Sequence, residues 1–174
     1  MKISFANFIV KQCNTSHMEE ILDIQREAFA DLPSTNILRE NTPQMIEECL
    51  KPPHLTVGAW YDGVLVAFTI LYYPHDESED LAHLLNSVDI SGLKTANYKL
   101  CIVRKNFRGN SLQYRLWSIL ERYAIDAGVK LFCVTASPEN RHSIDNIVSL
   151  GFIYNKTLNK YGFERNLYYK IISG

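Results

Sequence analysis

The chain has 174 residues, of which 47% are hydrophobic and 21% charged, and its formal net charge is −1. This length is typical of one domain with its own core, and we treat residues 1–174 as a single domain. The near-zero net charge excludes a general attraction to nucleic acid or to anionic lipid. With only 8 Gly and 6 Pro, the composition is not that of a disordered or fibrous chain.

Neither a membrane span nor a secretion signal is predicted. The longest apolar run, residues 64–73, is about half of the ~20 residues that a membrane-spanning helix needs. The first residues alternate polar and apolar side chains and lack a cleavage site. The four cysteines are widely spaced without a C-x-x-C pair, which favours reduced core thiols over a disulfide framework or a zinc site. We therefore expect a cytoplasmic protein.

The N-terminal region predicts a strand followed by two helices. The strand covers residues 8–13, and Ser16 with Glu19 forms an S-x-x-E capping box that begins a helix ending near residue 30. Thr42 before Pro43 is typical of an N-cap and the first helical position, which predicts a short second helix.

A hairpin and a long surface segment follow. Strands over residues 55–61 and 64–73 flank Asp62-Gly63, which suits a type I′ turn because both central positions need a positive φ. Residues 74–95 lack a sustained strand pattern, and we interpret them as a surface excursion with one helical turn.

The second half of the chain predicts alternating strands and helices. The pattern predicts strands over 97–103, 131–136, 152–156 and 165–172, and helices over 112–127 and 144–148, closed by Gly128 and Gly151. The complete order is β-α-α-β-β-β-α-β-α-β-β.

Residues 103–113 join a predicted strand to the start of the longest predicted helix. Backbone N–H groups lack partners at such a junction, and the helix dipole adds about half a positive charge, so a phosphate binds favourably there. Arg108 offers a bidentate contact in addition. An ordinary turn with a solvated basic cluster explains the same residues, so this segment alone leaves both interpretations open.

Residues 137–152 lead from a strand end into a short helix with a Gly-Phe exit. Asn140 is placed to cap this helix, and Gly151 is placed to end it. Taken alone, the segment is explained by capping at least as well as by contact with a ligand.

In this order and spacing, the two segments resemble the GNAT superfamily of N-acetyltransferases. The family's phosphate loop reads V-x-P-x-x-R-G-x-G-x-G/A, and a later segment reads N-x-x-A-x-x-L-Y-x-x-x-G-F. The residues that match are Val103, Arg108 and Gly109 in the first pattern and Asn140, Gly151 and Phe152 in the second, with Ser143 in the small-residue position. The predicted element order is also that of the family, so the resemblance covers nearly the whole chain.

The resemblance implies a fold, a co-substrate and a set of binding residues. The implied fold class is α/β (α+β), GNAT-like, with a mixed, mostly antiparallel central sheet and flanking helices. Acetyl-CoA would place its pyrophosphate on the amides of residues 108–113 and its thioester in a gap between two splayed strands, with a backbone N–H near Val103 as an oxyanion-type donor. The implied cofactor-binding residues are Cys101, Ile102, Val103, Arg108, Gly109, Asn110, Ser111, Leu112, Gln113, Asn140 and Ser143.

Several positions depart from the family patterns. Lys105 replaces Pro, and Ser111 and Gln113 replace two loop glycines. Asn146 replaces Leu, and Ile147 occupies the usual Tyr position. Ser111 cannot take a positive φ without cost, although its hydroxyl can cap the helix or donate to a phosphate. Gln113 is placed either to donate to a phosphate or to crowd it.

The catalytic residues are unknown from the sequence. The family reaction needs a base for the ammonium and an acid for the leaving thiolate, and Ile147 cannot supply the usual Tyr hydroxyl. Tyr154 is a weak candidate for the acid, with Tyr161 and water as alternatives. The strand over 97–103 carries no carboxylate. A base must therefore come from elsewhere, such as Glu27, Asp31 or the loop carboxylates.

Residues 75–80 contain four carboxylates in six positions. They suggest a cationic acceptor if they face the acceptor site, although a solvated loop is the favoured explanation of these charges. His75 and His83 with these acids match no metal-ligand spacing, so no metal site is predicted.

Two functions follow from the resemblance. The first is acetyl-CoA-dependent transfer of an acetyl group, by direct attack, to a primary amine of a small molecule or peptide, in a monomer or homodimer. The alternative is a non-catalytic acyl-CoA-binding or regulatory module of the same fold, suggested by Ile147 and the two lost glycines. A different nucleotide-binding domain is disfavoured because the chain lacks G-x-G-x-x-G and Walker motifs.

Overall fold

The computed structural model describes residues 2–173 and contains seven strands and four α-helices in that range. The strands are β1 (Ile9–Gln12), β2 (Leu55–Tyr61), β3 (Val64–Tyr72), β4 (Thr95–Val103), β5 (Leu131–Ala136), β6 (Ile153–Lys160) and β7 (Phe163–Ile171). The helices are α1 (Met18–Ala30), α2 (Pro43–Cys49), α3 (Leu112–Asp126) and α4 (Arg141–Ser149). The predicted element order is confirmed.

All seven strands form one sheet in the order β1-β2-β3-β4-β5-β7-β6. Neighbouring strands are antiparallel except β4 and β5, which run parallel. The expected mixed, mostly antiparallel sheet with flanking helices is therefore confirmed.

Helices cover both faces of the sheet. α1 and α2 pack on one face, where Ile24 and Phe68 are buried, and α3 and α4 pack on the other, where Leu116, Phe132 and Ile147 are buried. The spacing of apolar residues in each helix puts them on the side that faces the sheet. Each large side chain removed from water contributes about 1.5–3 kcal/mol to folding.

The parallel pair β4–β5 separates after a short ladder. Pairing begins at Thr95 with Leu131 and ends at Tyr98 with Val134, although β4 continues to Val103. A register shift in the β3–β4 ladder makes Lys99 the extra residue of a bulge at the point of separation. The expected splay is present, and it opens a gap in the middle of the sheet.

Two predictions about local structure were inaccurate. Ser16 and Glu19 do not form a capping box; instead Asn14 accepts from the Ser16 N–H at 2.9 Å and begins a 3-10 turn before α1. β6 and β7 are longer than predicted. They form a hairpin because Tyr161 and Gly162 both take positive φ (60° and 82°), as Asp62 and Gly63 do in the first hairpin.

The four cysteines are free, and Cys13, Cys49 and Cys133 are buried. Within the described range, no helix combines the length and apolar character that crossing a membrane requires.

Candidate active site

A cavity of about 900 Å³ passes through the gap between β4 and β5. On one face of the sheet it is bounded by the start of α3 and by α4; we call this the helix half. On the other face it is bounded by the α1–α2 connection, by Tyr72 and Glu79, and by the β6–β7 hairpin; we call this the hairpin half. The cavity thus joins two differently built sites across one sheet.

The start of α3 forms a cradle of backbone N–H groups in the helix half. The first intrahelical bond runs from the Arg115 N–H to the Ser111 carbonyl at 3.0 Å, so the amides of residues 112–114 precede any helical acceptor. Ser111 makes no side-chain capping bond to them. Gly109 has φ +81°, and an added Cβ there would meet nothing within 4 Å. The cradle is therefore open to an anion at the positive end of the helix dipole.

The departures from the family loop are accommodated in specific ways. Ser111 keeps the left-handed conformation of a glycine, with φ 57° and ψ 23°. The Gln113 side chain is turned toward α4, where its oxygen accepts from Asn146 Nδ2 at 3.1 Å. Asn110 is not among the cavity-lining residues: its oxygen accepts from the Ile3 N–H at 2.8 Å, which ties the loop to the N-terminal segment.

The edge of β4 presents free backbone groups to the gap. The Arg104 N–H donates to the Val66 carbonyl at 2.8 Å, which directs the backbone groups of Arg104 toward β3. Because these directions alternate along a strand, the N–H groups of Val103 and Cys101 point away from β3, into the region where β5 has separated. The Val103 carbonyl, on the same edge, accepts from Arg108 Nε at 3.2 Å.

Aromatic side chains and a neutral thiol line the middle of the cavity. Trp117 Nε1 donates to Thr69 Oγ1 at 2.8 Å, and the Trp117 and Tyr98 rings stack with centroids 4.5 Å apart. Burial raises the pKa of the Cys101 thiol to about 12. Cys101 therefore remains a thiol at neutral pH and is a poor nucleophile.

Ten of the eleven predicted cofactor-binding residues line the cavity, Asn110 being the exception. Asn140 caps α4 through its side-chain oxygen, which accepts from the Ser143 N–H at 3.2 Å. This bond does not use the NH₂ group of Asn140, so the capping interpretation and the ligand interpretation are compatible.

The tyrosine candidates lie in different environments. Tyr154 is 51% exposed on β6, its hydroxyl lies 2.9 Å from Thr157 Oγ1, and it does not line the cavity. Ile147 is fully buried in the core and does not line the cavity either. Tyr161, at the tip of the β6–β7 hairpin, lines the hairpin half.

Of the carboxylates considered as a base, Glu79 reaches the cavity. It lines the hairpin half and accepts a hydrogen bond from the Tyr72 hydroxyl. Burial raises the pKa of Tyr72, so this hydroxyl stays protonated and acts as the donor. Glu27 instead pairs with Arg104, and Asp31 pairs with Lys105.

The acidic segment does not form one patch facing the cavity. Only Ser78 and Glu79 of residues 75–80 are among the lining residues. Asp76 accepts from the Ser78 N–H and hydroxyl within its own turn, and Asp80 accepts from the Ala82 N–H and from Thr95 Oγ1. Two of the four carboxylates, Asp76 and Asp80, therefore stabilise the loop and do not line the cavity.

Glu48, His54 and His75 form a cluster that resembles a metal site in composition. His54 Nδ1 accepts from the Tyr73 N–H at 3.1 Å, so the neutral ring carries its proton on Nε2. That nitrogen lies 3.5 Å from Glu48 Oε1. A protonated Nε2 offers no lone pair to a metal ion, so we do not interpret the cluster as a metal site; the hydrogen bond within it joins His75 Nε2 and Glu48 Oε1 at 3.2 Å.

Comparison with known families identifies the class of protein. The acetyltransferase (GNAT) family matches residues 18–152, which is most of the chain, and the protein therefore belongs to this family and is an acetyltransferase. No curated protein sequence matches the chain.

Solved structures share the fold at low sequence identity. A GNAT-family acetyltransferase from Streptococcus pneumoniae superposes with a TM-score of 0.72 and 11% identity, covering 95% of this chain and 99% of that one. The ribosomal-protein-S18-alanine N-acetyltransferase from Escherichia coli gives 0.72 and 16%, covering 96% and 95%. A proposed acetyltransferase from Salmonella typhimurium, solved with its cofactor acetyl-CoA, gives 0.72 and 14%, again covering 96% and 95%.

Proposed function

We propose that the protein transfers the acetyl group of acetyl-CoA to a primary amine by direct attack. The observation that carries this proposal is the continuity of the cavity through the β4–β5 gap. An anion cradle lies on one face of the sheet, a carboxylate lies on the other, and unpaired strand N–H groups lie between them. This arrangement lets two substrates meet end to end inside the sheet.

The helix half fits the phosphate-bearing part of acetyl-CoA. The open space at Gly109 and the amides at the start of α3 accommodate a pyrophosphate, and Arg108 lies beside them. Beyond Tyr98, β5 no longer pairs with β4, so the backbone groups on this edge of β4 have no partner strand. The amide-containing pantetheine arm can form hydrogen bonds along this edge in the place of a strand. Asn140 and Ser143 line the opposite wall. The residues present therefore fit the co-substrate.

The N–H groups of Cys101 and Val103 are the donors available where charge develops on the thioester oxygen. They belong to a strand held by β3, so their positions are preorganised, which is the property that makes such donors effective. The thiol of Cys101 stays protonated because of its raised pKa, which disfavours an acetyl-enzyme and favours direct transfer.

Glu79 is the residue that we assign as the general base. The ammonium group loses one proton to the Glu79 carboxylate, the resulting amine nitrogen forms a bond to the acetyl carbon, and the C–S bond breaks with its electron pair on sulfur. The second proton leaves the nitrogen and passes through water to the thiolate. A thiol with a pKa near 8.5 is a tolerable leaving group at neutral pH, so water suffices to protonate it. This accounts for activity without a tyrosine at position 147.

The direct experiment measures free thiol released from acetyl-CoA in the presence of a panel of amines. Glu79→Gln is expected to lower kcat by about 10²–10⁴ with acetyl-CoA affinity unchanged. Glu77→Gln, in the same loop but outside the cavity lining, is the matched control and should be silent. Equal activity of the two variants would remove Glu79 from the mechanism.

A second pair of variants separates an enzyme from a non-catalytic acyl-CoA-binding module. Gly109 and Gly92 both have positive φ, and an added Cβ at either meets nothing within 4 Å, so Gly→Ala strains both equally. Only Gly109→Ala should weaken acetyl-CoA binding, because Gly109 lines the cavity. Acetyl-CoA binding that depends on Gly109, without thiol release for any amine, would favour the module.

A further inference from the structure

Arg165 is a buried cation with most of its hydrogen-bonding capacity unused. Its exposed fraction is 4%, and it lies on β7 at a position that lines the hairpin half of the cavity. Nη1 donates to the Ile37 carbonyl at 3.2 Å, whereas Nε and Nη2 are buried without a partner. Buried polar groups are normally hydrogen-bonded, so this exception needs an explanation.

The two unused nitrogens lie on the same edge of the guanidinium group. Nε–H and one N–H of Nη2 are parallel, and together they form the fork that binds both oxygens of a carboxylate. If Arg165 served only to hold the Ile37 carbonyl, a side chain with one donor would suffice. Arg165 lines the cavity, and Nε and Nη2 are the donors of its side chain that the fold leaves without a partner.

The surroundings of Arg165 are strongly cationic. Arg39, Lys99 and Lys160 also line this half of the cavity, and the Arg39 guanidinium stacks 3.9 Å from the Tyr161 ring centroid. Within residues 2–173, no carboxylate oxygen lies within 4.0 Å of a charged nitrogen of Arg165 or of these three cations. Burial, together with the neighbouring positive charge of Arg39, lowers the pKa of Arg165.

We infer that the acceptor amine also carries a carboxylate, and that this carboxylate binds the free edge of Arg165 with Arg39 beside it. The inference rests on the proposed function and narrows its acceptor to molecules of the amino-acid type. The ammonium group of the acceptor then faces Glu79, the carboxylate of the hairpin half, and the carboxylate of the acceptor faces the Arg165 guanidinium group. An acceptor with positive charge alone would meet four uncompensated cations.

The acetyl-CoA phosphates do not explain the free edge of Arg165. Their cradle lies at the start of α3 on one face of the sheet, whereas Arg165 contacts the α1–α2 connection on the other face. The two anion sites are thus on opposite sides of the gap, and each needs its own ligand.

The test uses amines in matched sets of three that differ only at the carboxylate. Each set contains an amino acid and two partners, namely the corresponding decarboxylated amine and the corresponding amino-acid amide. Wild-type protein is expected to acetylate one or more amino acids with a kcat/KM about 10- to 150-fold above that of both partners, the range for a hydrogen-bonded charge. Arg165→Met and Arg39→Met should remove this preference and raise KM, and Arg165→Lys should restore part of it. Arg122→Met, on the exposed face of α3, is the control.

Equal use of amino acids and their decarboxylated partners would overturn the inference, as would a preference that survives both Arg165→Met and Arg39→Met. If Arg165→Met does not fold, the inference is still tested by the Arg39→Met variant and by the comparison of amino acids with their partners that lack the carboxylate. Calorimetric titration with the same amino acids separates the two proposals. Arg165-dependent binding without any thiol release would refute the acetyl transfer and support the anion site, whereas absence of both binding and preference would refute the anion site.

Discussion

Replacing Ser111 by glycine should stabilise the protein. Ser111 has φ 57° and ψ 23°, a left-handed conformation that costs a residue with a Cβ about 1–2 kcal/mol. Its hydroxyl makes no capping bond, so nothing is lost with the side chain. The greater backbone entropy of glycine in the unfolded state costs about 0.5–1 kcal/mol, which leaves a net stabilisation of up to about 1.5 kcal/mol. For a chain of this size the stabilisation corresponds to a rise in Tm of up to roughly 6 °C.

The assay is thermal unfolding without ligand, followed by titration with acetyl-CoA. Ser87 also has a positive φ, 56°, and does not line the cavity, so Ser87→Gly should raise Tm by a similar amount without touching the cradle. Ser111→Ala, which removes the hydroxyl but keeps the strain, should leave Tm unchanged. A lower Tm for Ser111→Gly beside a higher Tm for Ser87→Gly would refute the reasoning and show that the Ser111 side chain stabilises the loop.

Three further predictions concern single residues. Arg108→Ala should weaken acetyl-CoA by about 1–3 kcal/mol in a binding titration, while Arg122→Ala should not; equal affinities would remove Arg108 from the site. Tyr154→Phe should leave kcat unchanged, because Tyr154 is outside the cavity lining, and a tenfold drop would instead make it the acid. Burial lowers the pKa of His54 below its ordinary 6.5, so below that pH the unfolded state binds more protons than the folded state. Tm should therefore fall from neutral pH toward about pH 5, and His54→Gln should flatten this fall; an equally steep fall in the variant would exclude His54 as its cause.

The helix half of the site was largely predictable because its residues are local in sequence. The backbone amides at the start of α3 are positioned by a strand, a turn with Gly109 and the helix start. These three elements are contiguous in the sequence and can be predicted without knowledge of the tertiary structure. Ser111 shows the limit of this reasoning: the pattern identifies the position, but the cost of its left-handed conformation is offset by the tertiary structure, which no local rule predicts.

The cations of the hairpin half were not predicted because they meet only after folding. Arg165 binds the Ile37 carbonyl, 128 residues away along the chain, and Arg39 stacks on Tyr161. One signal was present: Arg165 alternates with the buried Leu167 on the inward side of β7, where a charge is unexpected. For the acidic residues 75–80 the sequence favoured a solvated loop over an acceptor site, and it did not reveal that Asp76 and Asp80 accept hydrogen bonds within their own loop.

The short β4–β5 ladder divides the sheet into two parts that are joined by four residue pairs. One part contains β1 to β4 and the other contains β5, β7 and β6, so a molecule in the gap contacts both parts. The amide protons of Cys101 and Val103 lie on the open edge and should exchange quickly with solvent deuterium in the free protein. A ligand that supplies hydrogen-bond acceptors along this edge, such as the pantetheine arm, should slow their exchange. The exchange rates of these two amides therefore report whether the gap is occupied, whichever amine substrate the enzyme uses.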